Sequence, residues 1–266
     1  MNKEIQQSPT LSIRISTDGF CFCTYLPQQP DSVKYTTYEC DRQLSIAANF
    51  EAAWKACNLA NEDYSKIQVI AASTEFTAVP PTISSKEEQE AIFKSCFPQT
   101  KEEVKIVSNT LSAQNMTILF GINEELHKLL TRIGEVNYYS PISIMSGFLT
   151  RYPMGAGRYI MVDIQDETMQ LIAMEEETPL LMNSFRAATT ADLLYYLLYI
   201  WNELGFSQEE ETLLLCGNHS ADKFEMTAKD FIRNIKRINP RQLFQSNLLN
   251  KIETTPFDLQ ALILCE

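Results

Sequence analysis

The two tryptophans of the chain, Trp54 and Trp201, stand 147 residues apart, and each lies in a helical stripe of apolar side chains. The first stripe is Ile46, Phe50, Trp54 and Cys57, a spacing of three to four residues that lines one side of a helix. Shifted by 147 it becomes Leu193, Leu197, Trp201 and Leu204, apolar at every position. The same shift carries Ile67 to Leu214 and Val69 to Cys216. One offset shared by a helix and the strand after it predicts an internal repeat. A repeat on this scale constrains the fold more than any short motif.

The order of elements supports the repeat. In the first half Leu11, Ile13 and Ile15 alternate with polar residues, Asp18-Gly19 supplies a turn, and residues 20–25 return as a strand. A third strand is predicted over residues 34–39, a helix over 44–59 and a fourth strand over 66–72. In the second half the sequence predicts strands at 159–164, 168–174 and 179–185, a helix at 190–204 and a strand at 212–216. Between the halves, helices are expected over 84–97 and 123–133, flanking a hairpin of 104–108 with 116–121. The stretch Tyr152-Pro-Met-Gly-Ala-Gly157 has connector composition. The division expected is a tail over 1–10, a first lobe over 11–150 and a second over 152–266. After residue 216 a helix is predicted over 227–238 and a last one near 257–264, opened by Pro256.

Composition narrows the function classes. The 266 residues are 45% hydrophobic and 21% charged, which suits globular lobes rather than disorder. The longest apolar stretch, 191–201, is far short of the ~20 residues of a membrane span. The opening segment MNKEIQQSPT lacks the apolar region of a signal peptide, so a cytoplasmic protein is expected. A net charge of −12 argues against generic nucleic-acid binding, which is driven by phosphate neutralisation. Seven cysteines without a C-x-x-C pair, several inside apolar runs, predict reduced thiols rather than a disulfide framework.

Three antiparallel strands, a helix, a strand and more helix, present twice, resemble the actin-like ATPase fold of actin, Hsp70, sugar kinases and bacterial pilus-assembly proteins. Val162-Asp163-Ile164, the helix at 190–204 and Leu213-Leu214-Leu215-Cys216-Gly217 match in kind and order. More narrowly, the chain resembles a bacterial family of unknown function to which an actin-like fold is attributed. The resemblance covers residues 11–265. It implies an α/β, duplicated (ribonuclease H-like) fold of two lobes, each with a mixed five-stranded sheet and helices.

The resemblance also implies where a nucleotide site would lie. Members that hydrolyse ATP use two hairpins of the form Asp-x-Gly-[Thr/Ser]. There glycine lets backbone amides approach phosphates, and aspartate holds the metal. Here Asp163 and Thr168 match the second hairpin, but the glycine position is Gln165, followed by Asp166 and Glu167. The 147 offset places Ser16 at the first aspartate, with Asp18 two residues on. Of the paired glycines for adenosine, Gly217 remains and Asn218 follows. The nucleotide-binding set, if the chain has one, is therefore Ser16, Asp18, Asp163, Thr168 and Gly217. No cofactor is expected, with ATP and magnesium as the pair to test.

Remaining motifs read more simply as structure. The chain has two histidines, His127 and His219, too few for a multi-histidine metal centre. Cys216 and His219 have C-x-x-H spacing but read as a strand cysteine and a loop histidine. Gly155-Ala156-Gly157-Arg158 precedes a strand, whereas a dinucleotide loop follows one. Lys229, Arg233, Lys236 and Arg237, with Arg241 beyond, would share one face of the helix predicted at 227–238, a solvated face or a docking strip for an acidic partner or RNA. The function expected is a non-catalytic actin-like binding or scaffold protein. A divergent ATPase or kinase and an RNA-associated or regulatory module are the alternatives.

Overall fold

A computed structural model gives the architecture; it describes residues 8–27, 29–100, 103–165, 167–238 and 255–264. By their contacts these fall into two compact units. The first comprises residues 8–110 with 116–140, the second 111–115 with 141–238 and 255–264. The division thus falls at Ser140–Pro141, one helix ahead of the Pro/Gly stretch at 152–157.

The first unit is built on β1 (Thr10–Ile15), β2 (Gly19–Leu26), β3 (Gln29–Glu39), helix α1 (Ile46–Ala56), β4 (Lys66–Ala71) and, later, α3 (Glu124–Ile133) and β8 (Val136–Tyr139). Its mixed sheet runs β3-β2-β1-β4-β8. Leu11, Ile13, Phe20, Phe22, Ile67 and Val69 project to one side and meet Phe50 and Ala53 of α1 and Leu126 and Leu130 of α3. Alternate residues of a strand face one side, so the pairs Ser12–Cys23 and Arg14–Cys21 belong to the opposite side. That second side is polar yet buried at Ser12, Arg14 and Gln68. There Gln68 Oε1 accepts from Ser12 Oγ at 3.0 Å and from Tyr25 Oη at 3.4 Å. Between β4 and α3 come β5 (Phe76–Val79), α2 (Lys86–Cys96), β6 (Val104–Leu111) and β7 (Met116–Asn123). The strands form a three-stranded sheet, β5-β7-β6, with Phe93 of α2 packed against Val79 and Leu119.

The second unit repeats the plan. Helix α4 (Pro141–Arg151) precedes β9 (Arg158–Gln165), β10 (Thr168–Glu175), β11 (Thr178–Arg186), α5 (Thr190–Glu203), β12 (Thr212–Gly217), α6 (His219–Ala228), β13 (Asn234–Arg237) and α7 (Phe257–Leu264). The sheet order β11-β10-β9-β12-β13 reproduces the first, strand for strand. Leu193, Leu197 and Trp201 of α5 and Phe224 of α6 cover one side. Helix α4 packs against β10 and α7, with Phe148 edge-on to Phe257 at 5.1 Å. Arg158, at the start of β9, ties down the far end of α5. Its guanidinium donates to the Leu204 and Gly205 carbonyls, lies 4.1 Å above the Phe206 ring and pairs with Glu211.

Both tryptophans sit three residues before the C-cap of their helices, Cys57 and Leu204, and each packs within its own unit's core. Trp201 is fully buried, whereas Trp54 is half-buried between Phe50 and Tyr64.

Two expectations are corrected. No helix spans 227–238: α6 ends at Ala228 and residues 234–237 are strand β13. Ile232 and Ile235 fit a helical stripe by spacing, but Ile235 instead pairs with Leu213 along the sheet. The other correction concerns the single offset. It holds for the C-terminal ends of the two helices but not for their N-caps, Ser45 and Thr189, nor for the hairpin before them or the strand after them, as the hairpin geometry below makes plain. Among the described residues no helix is long and apolar enough to cross a membrane.

Candidate functional site

The β1–β2 and β9–β10 turns are where the actin-like resemblance implies phosphate contacts. Both are two-residue turns. In the first, the Ser16 amide donates to the Gly19 carbonyl at 3.0 Å, leaving Thr17 and Asp18 as the turn. In the second, Gln165 faces Thr168 as Ser16 faces Gly19 in the first. Matching turn to turn makes Ser16 equivalent to Gln165, an offset of 149 rather than 147. The residue equivalent to Asp163 is therefore Arg14, not Ser16.

A hydrogen bond at the strand ends confirms the register. The Ala72 amide donates to the Ile15 carbonyl at 2.9 Å, and the Asn218 amide to the Ile164 carbonyl at 3.1 Å. Ile15 and Ile164 differ by 149, Ala72 and Asn218 by 146. Measured to the C-terminal end of the helix, the second unit is two residues shorter after the hairpin, and from there to the strand it is one shorter. Loop length has drifted while the strand pairing has not.

Each turn uses its own polar groups. Ser16 Oγ donates to the Gly19 carbonyl at 3.1 Å, and Thr168 Oγ1 to the Gln165 carbonyl at 2.9 Å. Asp163 is 1% exposed, and its Oδ1 accepts from Gln165 Nε2 at 2.9 Å. The side chain at the glycine position thus folds back onto the carboxylate. Cys216 lies beside Asp163 on β12; burial first, and then the Asp163 charge, push its thiol pKa well up, so it is a protonated, inert thiol. Asp18 is exposed, and Glu167 pairs with Arg186 at 3.5 Å. Asp166 lies outside the described residues.

Gly217 has a local reason to be glycine. Its φ is +129°, and a Cβ there would stand 2.1 Å from the Ile164 carbonyl oxygen. Asn218, at the second glycine position, caps α6 by accepting from the Ser220 amide at 3.0 Å. Among the described residues no group of three or more His, Cys, Asp or Glu side chains could hold a metal ion. The side chain of His219 lies outside what is described, so its spacing from Cys216 has no geometry to report.

A family model for proteins of unknown function, DUF3822, matches residues 1–235. The chain belongs to the DUF3822 family. Among solved structures, a Bacteroides thetaiotaomicron protein with actin-like ATPase fold and unknown function is 28% identical, with a TM-score of 0.82 over 100% of this chain and 99% of that one. The PilM–PilN type IV pilus biogenesis complex contains a chain 13% identical, with a TM-score of 0.57 over 96% of this chain and 97% of its own. No curated protein matches. The fold of this DUF3822 chain is thus the actin-like ATPase fold.

The basic strip is not a strip. In the DUF3822 chain Lys229 caps the end of α6 and pairs with Glu225 at 2.7 Å, and Arg233 lies before β13 and pairs with Glu209 at 3.0 Å. Lys236 and Arg237 are consecutive in β13 and so face opposite ways, Arg237 meeting Asp222 at 2.5 Å and Glu225 at 3.7 Å. Arg241 lies outside the described residues. Cysteines 21, 23, 40, 57, 96 and 216 are all free thiols, and Cys265 lies outside the described residues.

Two features escaped sequence reasoning. One is Arg14, hidden by the rigid offset. The other is a ridge of exposed tyrosines on α5, Tyr195 and Tyr199, which the sequence presents only as part of an apolar run.

Proposed function

We propose that the protein is a non-catalytic actin-like module that works by binding another macromolecule. The observation that carries this reading is the pairing of positions Arg14 and Asp163. In-line phosphoryl transfer needs metal, positioned water and close backbone donors acting together. A guanidinium at the first carboxylate position repels a cation where the fold would gather one. At the second position the Gln165 amide holds the carboxylate, where the resemblance calls for a glycine. The residues at these turns do not fit magnesium–ATP. The neighbouring PilM–PilN fold belongs to a complex, a precedent for this scaffold at work in assembly.

The test is phosphate release by the purified full chain with magnesium and ATP, beside Asp163→Ala prepared identically. We expect no release above background in either. Turnover abolished by Asp163→Ala would overturn the reading and establish an ATPase.

A further inference from the structure

Helix α5 buries one side against its sheet and turns a different chemistry outward. Leu193, Leu197, Ile200 and Trp201 are in the core. On the outer side Tyr195 and Tyr199 are 64% and 54% exposed. Their rings are stacked, with centroids 6.3 Å apart and planes 23° from parallel. Tyr196 braces Tyr195 edge-on at 5.6 Å and is itself stacked on Phe185 of β11 at 4.6 Å. The outer rings are therefore held by a ladder rooted in the sheet.

The helix itself brings charge of one sign to this face. Helix α5 contains no lysine or arginine, and its two acids, Asp192 and Glu203, are both exposed. Asp192 stands three residues before Tyr195, and Glu203 four residues after Tyr199, so each ring has a carboxylate neighbour on its own side of the helix. A ring face beside a carboxylate suits a guanidinium, which stacks on the ring while its edge donates to the acid. Lysine presents a point charge and fits only half of that arrangement. The two rings are one helical turn apart, about 6 Å along the axis.

We infer that the Tyr195–Tyr199 ridge of α5 is the docking surface for an arginine-bearing segment of a protein partner, with two guanidiniums about one turn apart seated on the rings. This rests on the binding-module reading and names its surface. A second copy of the chain is the wrong occupant, because two α5 faces would set Asp192 and Glu203 against like charges.

The test uses the full chain and a labelled synthetic helical peptide carrying two arginines one turn apart on a leucine face, with lysine and glutamate versions. Anisotropy measures binding, and ring-proton shifts in nuclear magnetic resonance locate it. Saturable arginine-peptide binding that shifts the Tyr195 and Tyr199 rings is expected, several-fold weaker for lysine and absent for glutamate. The double variant Tyr195→Ala, Tyr199→Ala should lose at least about tenfold in affinity. The double Tyr→Phe variant should retain binding, since the ring is kept. No binding, equal binding of arginine and lysine peptides, or binding unchanged in the alanine variant would overturn the inference. So would concentration-dependent self-association abolished by that variant. A failure here beside absent ATP turnover removes the ridge alone, whereas turnover dependent on Asp163 removes the underlying reading.

Discussion

Arg14 and Asp163 occupy one position of the repeat, each two residues before the pair that closes its hairpin, and they carry opposite charges. Neither is at the surface: Arg14 is 6% and Asp163 1% exposed. The repeat thus carries one carboxylate at this position, not two.

Magnesium with ATP at millimolar concentration should leave the thermal midpoint of the full chain unchanged within error. A ligand that binds only the folded state adds RT ln(1 + [L]/Kd), so tight binding would raise the midpoint by several degrees. Scanning calorimetry with and without nucleotide checks this.

Gly217→Ala should destabilise by about 1–3 kcal/mol, the usual range for forcing a side chain into a left-handed conformation. Its Cβ would also run into the Ile164 carbonyl. Gly147→Ala is the contrast. It lies on the exposed side of α4, nothing stands within 4 Å of its added Cβ, and alanine should stabilise by about 0.5–1 kcal/mol. Urea denaturation of the two variants measures both.

The tryptophans should report unequal environments from equivalent positions. Trp201→Ala should cost about 3–5 kcal/mol and Trp54→Ala distinctly less, because Trp54 is only half-buried. Emission from Trp54→Phe, which leaves Trp201, should be blue-shifted relative to Trp201→Phe. Identical spectra would contradict the burial described.

His127 accepts or donates at Nδ1 to Tyr138 Oη, 2.8 Å away. Burial lowers its pKa below 6.5, against the opposing Glu124 charge, and pushes the Tyr138 hydroxyl up to about 12. The tyrosine is therefore the donor, and neutral histidine the acceptor. The unfolded chain takes up the proton first as pH falls through 6.5, so stability is lost between there and the lower folded value. The difference in midpoint between wild type and His127→Gln should change across that window and be flat above it.

Much of this was readable in advance. Strands β1, β2, β9 and β10 alternate or run apolar between clear turns, and α1 and α5 carry apolar stripes after the caps Ser45 and Thr189. Helix α4 was not visible because it is buried nearly all round, from Pro141 to Ser146 and at Phe148 and Leu149, and so has no polar period. Strands β5 and β8 have four residues each, too few to show alternation. A rigid shift ignores loop drift and so sets the first hairpin's site position two residues off, at Ser16 rather than Arg14. The outward turn of Tyr195 and Tyr199 depends on which side of α5 meets the sheet, and a helix with core residues at 193, 194, 197, 200 and 201 leaves that choice unmarked in the sequence.

The Arg158 clamp has a thermodynamic consequence for that helix. A cation that ligates the Leu204 and Gly205 carbonyls favours the negative end of the helix dipole and stops the last turn from fraying. With Thr189 capping the other end and the ring ladder fixing the side chains, α5 has little conformational freedom left to lose. Association on its outer side should then carry a small ordering entropy. Substituting Arg158 by Met should weaken such association through a less favourable entropy, with the contact enthalpy nearly unchanged.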